Sequence, residues 1–206
     1  MNAYDGESAR RLLDDALAVG SVEDALFSLL LPLTNAPGVE TAAQAFRDGF
    51  VRRLLYSLYN ASSPDSGCAT VVLLGVPGTS RESHLLCHAI CLSRAGYRTI
   101  FLGTDVALHH AEATMVKIRP QAVMLTAETE GTVWTLARWC DRLTNDRPVA
   151  GWNGALLFTG SIFDAKSGLG GDIQATRVPD DPEDAREVFE GALANGERPL
   201  RIVRES

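Results

Sequence analysis

Apolar and polar positions along this chain follow two periods, and the places where the period changes mark its elements. An apolar, β-branched run, Thr70-Val-Val-Leu-Leu-Gly-Val76, is followed by the turn Pro77-Gly-Thr-Ser-Arg-Glu-Ser83. Next come a helix-length segment, His84-Leu-Leu-Cys-His-Ala-Ile-Cys-Leu-Ser93, stopped by Gly96, and a second short run, Tyr97-Arg-Thr-Ile-Phe-Leu-Gly103. Strand, turn, helix and strand make a βαβ unit, which needs a parallel sheet to sit in. The same alternation continues downstream. A helix is predicted over 106–118, a third strand over 120–126, a helix over 132–143 on the apolar positions Val133, Leu136, Ala137 and Cys140, and a fourth strand over 154–159. After the turn Gly168-Leu-Gly-Gly171, a short fifth strand over 173–178 and a last helix over 182–194 complete the pattern. The fold class is therefore α/β, a flavodoxin-like doubly wound five-stranded parallel sheet of order 2-1-3-4-5.

The first sixty residues read differently. A helix over 8–19 carries Leu12, Leu13, Ala16 and Leu17 and stops at Gly20. Ser21 with Asp24 has the form of a capping box opening a second helix over 22–33, which ends around Pro32 and Asn35-Ala-Pro-Gly38. A third helix over 39–59 presents Phe46, Phe50, Leu54, Tyr56 and Leu58, and 60–67 is the linker. The chain divides into a small helical cap, 1–60, and an α/β domain, 68–206. The cap needs a surface to bury its apolar faces, either the sheet edge or a second subunit; exposure of Phe46 and Phe50 would favour a homodimer.

Composition narrows the function. At 206 residues, 46% of them hydrophobic, the chain can bury one full core with a small addition. A net charge of −7 with scattered Lys and Arg argues against direct nucleic-acid binding, so an effect on transcription would pass through a protein partner. The absence of a long uncharged apolar run and of a basic, apolar start points to a cytoplasmic protein without a membrane role. Four Cys without a Cys-x-x-Cys suit reduced, buried thiols better than disulfides or structural zinc.

In a doubly wound sheet, ligands sit beyond the carboxyl ends of the strands, here in a crevice bounded by 78–84, 126–131 and 159–163. His84, Cys87, His88 and Cys91 recur at i, i+3, i+4 and i+7 on one helix stripe. That stripe could hold zinc or haem iron, but one helix cannot surround an ion with four ligands, and packing on the sheet explains Cys87, His88 and Cys91. His84, at the start of the helix, is the candidate metal ligand. Asp105 is expected to cap the helix that carries the solvated pair His109 and His110. Glu128 and Glu130 are either paired carboxylates for acid/base work or solvated loop charges. Arg81 precedes a helix N-terminus and could meet a carboxylate or phosphate. Trp152 is expected to serve as a lid or partner-facing aromatic, or to pack on the last helix.

The combination of a helical cap with Gly96-Tyr-Arg-Thr-Ile-Phe-Leu-Gly-Thr-Asp-Val106 and Ile118-Arg-Pro-Gln-Ala-Val-Met-Leu-Thr126 resembles the cobalamin-binding domain of corrinoid methyltransferases and light-sensing transcriptional regulators. The resemblance covers about 8–194 and is strongest over 70–126. That family carries an Asp/Glu-x-His-x-x-Gly loop after the first strand, whose His is the lower cobalt ligand. A Ser-x-Leu follows the third strand and a Gly-Gly the fourth, beside the nucleotide tail. Aligned without gaps, these positions fall here on Thr79, Arg81 and His84, on Thr126-Ala-Glu128, and on Thr159-Gly160 followed by Phe163. Arginine has no lone pair for cobalt, and a His replaces the Gly over which the corrin should pass. The cap position of the regulators' Glu-His pair falls on Gln44-Ala45.

The resemblance thus implies a non-catalytic sensor or regulatory module, its pocket turned from cobalamin to another tetrapyrrole such as haem or a bilin, or left to bind a protein partner. In a tetrapyrrole site the ligand-binding residues would be Thr79, Arg81, His84, Thr126, Glu128, Thr159, Gly160 and Phe163, with His84 on the iron or the pyrrole nitrogens. The alternative is a corrinoid-binding subunit of a methyltransferase or mutase.

Overall fold

The computed structural model describes residues 20–34, 42–62, 69–80, 82–146, 149 and 152–196, together with Glu7, Arg10, Arg11 and Asp15. Most of the predicted first helix and most of the linker lie outside the described residues, as does Arg81.

Continuous apolar runs make strands that are buried on both faces. β1 (Thr70–Gly75), β3 (Ala122–Thr126) and β4 (Ala155–Thr159) are such runs and form the middle of the sheet, while β2 (Arg98–Phe101) and β5 (Thr176–Arg177) are shorter and lie at its edges. All pairings are parallel and the order is β2-β1-β3-β4-β5, as the sequence pattern predicts. The fifth strand is only two residues long, because the expected segment from Ile173 begins with turns rather than ladder pairing.

Period-two alternation sends Val72, Leu74, Val123 and Leu125 to one face, where α5 (Leu108–Ile118) and α6 (Glu130–Asp141) supply Met115, Val133, Leu136 and Trp139. Val71, Leu73, Met124 and Leu157 point to the other face, where α4 (Ser83–Arg94) supplies Leu85 and Ala89 and α8 (Pro182–Gly196) supplies Phe189. A short helix, α7 (Ile162–Ala165), follows β4. Helix α6 begins two residues before the predicted start because Thr129 and Thr132 cap each other reciprocally.

The cap contains α1 (Val22–Ala25), a π-helical turn (Leu26–Leu30), α2 (Leu31–Thr34) and α3 (Ala42–Ala61). The Ser21 hydroxyl accepts from the Asp24 backbone N–H at 3.0 Å, as an N-cap should. The helical path continues past Pro32 to Thr34. A proline lacks the N–H and crowds the carbonyl four residues back, and the wider π turn just before it relieves that conflict.

Leu26, Leu30 and Leu31, with Val51 and Leu55 of α3, close over Leu86, Cys87 and Ile90 of α4. Full burial of each such aliphatic side chain contributes about 1.5–3 kcal/mol. Helix α3 also reaches the sheet edge, where the Tyr59 hydroxyl donates to the Thr99 carbonyl at 3.0 Å and its ring packs edge-on against Phe101. The described part of the cap thus buries an apolar face on a helix of its own chain, a partner not foreseen from the sequence, and Phe46 and Phe50 are half-buried. Among the described residues no helix is long and apolar enough to cross a membrane.

Candidate functional site

At the crevice beyond β1, β3 and β4, the loop after β1 is bonded to the loops after β2 and β3. Gly78, at φ +88, donates its N–H to Asp105 Oδ1 at 2.9 Å, and Ser80 donates its N–H to Glu128 Oε2 at 3.4 Å. Asp105 is therefore not the cap of α5. Ala107 holds that position with no side-chain bond, and Asp105, itself at φ 58, braces the loop after β1 instead. Thr79 Oγ1 lies 3.4 Å from the Thr126 carbonyl. The cap clamps the same loop, because Tyr56 donates its hydroxyl to Glu82 at 3.0 Å and Arg52 pairs with Glu82 at 3.2 Å. Burial first, then the Glu82 bond, push the Tyr56 phenol up to about 12.

The seam between these loops is packed. Thr79, Thr126, Thr159 and Phe163 are each no more than 2% exposed. Phe163 belongs to the core, edge-on to Phe158, and does not line an opening. Thr126 Oγ1 is buried without a hydrogen-bond partner among the described residues. Gly160, at φ +145, brings its Cα so close to the next strand that a Cβ would stand 2.0 Å from the Ala127 carbonyl oxygen. Glu128 and Glu130 are not a carboxylate pair: Glu128 faces the loop at Ser80, whereas Glu130 is exposed and ion-paired with Lys166. That pair, led by its hydrogen bond, lowers the Glu130 carboxyl. Trp152 is not a lid, and its half-buried ring packs against the core on the α5 and α6 face of the sheet. Its indole N–H donates to the Pro120 carbonyl at 2.6 Å, at the amino end of β3 and away from the crevice. His109 and His110 are exposed at the start of α5, as expected.

His84 stands behind the crevice rather than on an open wall of it. Only 5% exposed, it places Nε2 2.6 Å from Asp180 Oδ1, on the segment between β5 and α8, and its Nδ1 has no partner among the described residues. One helical turn on, His88 Nε2 lies 3.1 Å from Thr159 Oγ1 and 3.5 Å from the same Asp180 oxygen. The two imidazoles meet edge to face, and Phe27 of the cap closes on His88. Burial lowers the His88 imidazole, against the pull of Asp180. Burial raises the Asp180 carboxyl, but the bonds from His84 and His88 outweigh it and hold the group below the ordinary carboxylate range. His88 is thus more than packing. The apparent stripe divides, with Cys87 covered by the cap and both His side chains joined to Asp180.

Asp180 and Asp105 were not foreseen. Asp105 sits in Thr104-Asp-Val106, where the sequence suggests only a helix cap. Asp180 hides in an acidic stretch, Asp180-Asp-Pro-Glu-Asp184, that reads as an ordinary helix start. Beside His88 a cavity of about 430 Å³ opens between α4, α8 and α1, floored by Cys91, Met124, Val178 and Phe189 and rimmed by Glu23 and Arg186.

The architecture has solved counterparts. Over 88% of this chain and 89% of the other, it superposes on the monomethylamine corrinoid protein of Methanosarcina barkeri with a TM-score of 0.63 at 15% identity. The methanol:cobalamin methyltransferase complex MtaBC of the same organism matches 93% of this chain and 76% of its own at a TM-score of 0.51 and 17% identity. A cobalamin-binding protein from Desulfitobacterium hafniense matches 91% and 92% at 0.51 and 13%. The fold is that of a cobalamin-binding domain. Identities this low speak for the cobalamin-binding-domain fold alone. In sequence, 128 residues are 32% identical to the HTH-type transcriptional repressor CarA of Myxococcus xanthus, which is 61% of this chain and 44% of the repressor. The chain thus spans less than half the length of that curated relative. No family model matches it.

Proposed function

We propose that this chain is a non-catalytic regulatory module that keeps the cobalamin-binding-domain fold, does not hold a His-ligated corrinoid, and acts through a protein partner. The observation that carries this reading is the state of the first imidazole after β1. The segment 77–83 contains no His, Cys or Met, and His84, which follows it, is buried and bonded to Asp180. A corrin held from below needs a free imidazole at the crevice, and a nucleotide tail needs room at Thr126 and Thr159, both of which are buried. The residues present do not fit the group. With its Nε2 on Asp180 and its ring behind the crevice, His84 is poorly placed for a haem or bilin there, which favours the partner-binding branch of the regulatory reading.

The similarity to a transcriptional repressor supports a regulatory role, and the net charge of −7 supports a protein rather than nucleic acid as the contact. Trp134, in the first turns of α6 and 73% exposed, is a fitting anchor for such a contact. The test is retention. After incubation with hydroxocobalamin or adenosylcobalamin and desalting, the protein is expected to carry no stoichiometric corrinoid, and haem and biliverdin are expected to leave no shifted absorption band. A retained corrinoid with an imidazole-ligated, base-off spectrum would overturn the reading in favour of a corrinoid-binding subunit.

A further inference from the structure

The regulatory reading uses only the bond between His84 and Asp180, and leaves open what the wider cluster of His84, His88 and Asp180 could hold. His84 and His88 are four residues apart on α4, so both rings leave the same side of the helix. Paired His at this spacing is a recurring way for one helix to offer two ligands to a single ion. The objection that one helix cannot surround an ion does not apply, because Asp180 approaches from a different segment. One ligand atom from each residue lies within 4.8 Å of the other two. His84 Nε2 and His88 Nε2 are 2.6 Å and 3.5 Å from the same Asp180 oxygen. A tetrahedral ion with bonds of about 2.0–2.2 Å holds its ligands about 3.3–3.5 Å apart. The two contacts to Asp180 would change by less than about one ångström, and the ligand nitrogens of the two His by no more than about 1.5 Å, to admit one.

We propose that His84, His88 and Asp180 form a binding site for a divalent transition-metal ion of the zinc class. Two imidazoles and one carboxylate suit zinc or cobalt, and not magnesium or calcium, which prefer oxygen ligands throughout. The remaining position falls to the Thr159 hydroxyl, 3.1 Å from His88 Nε2, or to water entering past Asp180, whose side chain is 31% exposed. Both His residues are otherwise buried, and the cap ring of Phe27 closes on His88, so the site is closed on that side. An ion there would tie α4 to the segment that leads into α8. The inference shares His84 and Thr159 with the regulatory reading but stands apart from it, since uptake of a bare ion and retention of a corrinoid are measured separately.

The full chain, stripped with a chelator and dialysed, is titrated with Co²⁺ as a coloured stand-in and then with Zn²⁺. Uptake of one equivalent, with visible d–d bands that one equivalent of Zn²⁺ abolishes, is the expected result. Asp180→Asn keeps the shape of a partly exposed side chain and removes the anionic ligand, and it should weaken Co²⁺ at least about tenfold. His88→Gln should do the same. Near-ultraviolet circular dichroism checks that each variant is folded. His109→Ala/His110→Ala removes the exposed surface pair and should leave uptake unchanged. The proposal is overturned if the parent shows no d–d bands, if folded Asp180→Asn binds as the parent does, or if uptake disappears with His109 and His110.

Discussion

Asp180 and Asp181 are neighbours with the same chemistry and opposite tasks. Asp181 Oδ1 accepts from the backbone N–H groups of Glu183 and Asp184, both at 3.0 Å, and so caps α8. Asp180 reaches back across 96 positions to His84. The cap is readable from a local motif, whereas nothing local says which of two aspartates serves it or where the other goes. Gly160 shows the same limit. The sequence reading keeps it as the surviving glycine beside a nucleotide tail, yet the structure supplies a reason internal to the fold. At φ +145 and with a Cβ position 2.0 Å from the Ala127 carbonyl oxygen, any side chain must push β3 and β4 apart where Ala127 donates its N–H to the Thr159 carbonyl. Gly160→Ala is accordingly expected to cost about 1–3 kcal/mol. In urea its unfolding midpoint should fall with an unchanged slope. A midpoint equal to that of the parent would mean that the strand ends separate freely and that the glycine is kept for something that passes between them.

Elements were legible wherever a period was long and one face decided it. The order of the sheet and the helices over it follow from strand runs and amphipathic spacing, and they are present as expected. Helix α4 is where that reading falls short. It is buried on two sides, by the sheet at Leu85 and Ala89 and by the cap at Leu86, Cys87 and Ile90. A period gives the angle between side chains but not the identity of the neighbour at each angle, so the spacing of His84, Cys87, His88 and Cys91 looks like one stripe and serves two surfaces. The thiols report this directly. Burial pushes Cys91 and Cys140 up to about 12 and Cys87 well above the ordinary thiol range. A raised value keeps the group as thiol at pH 8, and only the thiolate is nucleophilic. Iodoacetamide at pH 8 is therefore expected to leave all three unmodified in the native protein and to label them in urea, as peptide mass spectrometry would read. Reactivity should rise only as the pH approaches those raised values. Rapid native labelling of Cys87 would mean that the cap lifts away from α4.

At the scale of the whole molecule, the boundary drawn between 1–60 and 68–206 marks a change of pattern, and the packing argues that it is not a boundary of stability. Leu86, Cys87 and Ile90 have no exposure because Leu26, Leu30, Val51 and Leu55 cover them. The cap also holds the crevice loop through Tyr56 and Arg52 on Glu82, and the sheet edge through Tyr59 on Thr99. Separating the two parts would expose an apolar face on each, so cap and sheet should unfold together. The chain carries its own reporters for this. Its three Trp residues, Trp134, Trp139 and Trp152, all lie in the α/β part, whereas far-ultraviolet circular dichroism also sees the cap helices. The two signals are expected to trace one coincident urea transition. Leu86→Ala, at the boundary between them, should move that whole transition down by about 2–5 kcal/mol without splitting it. Loss of ellipticity ahead of the Trp change, in the parent or in Leu86→Ala, would instead make the cap a separately folding domain, and its surface on α4 a place that opens.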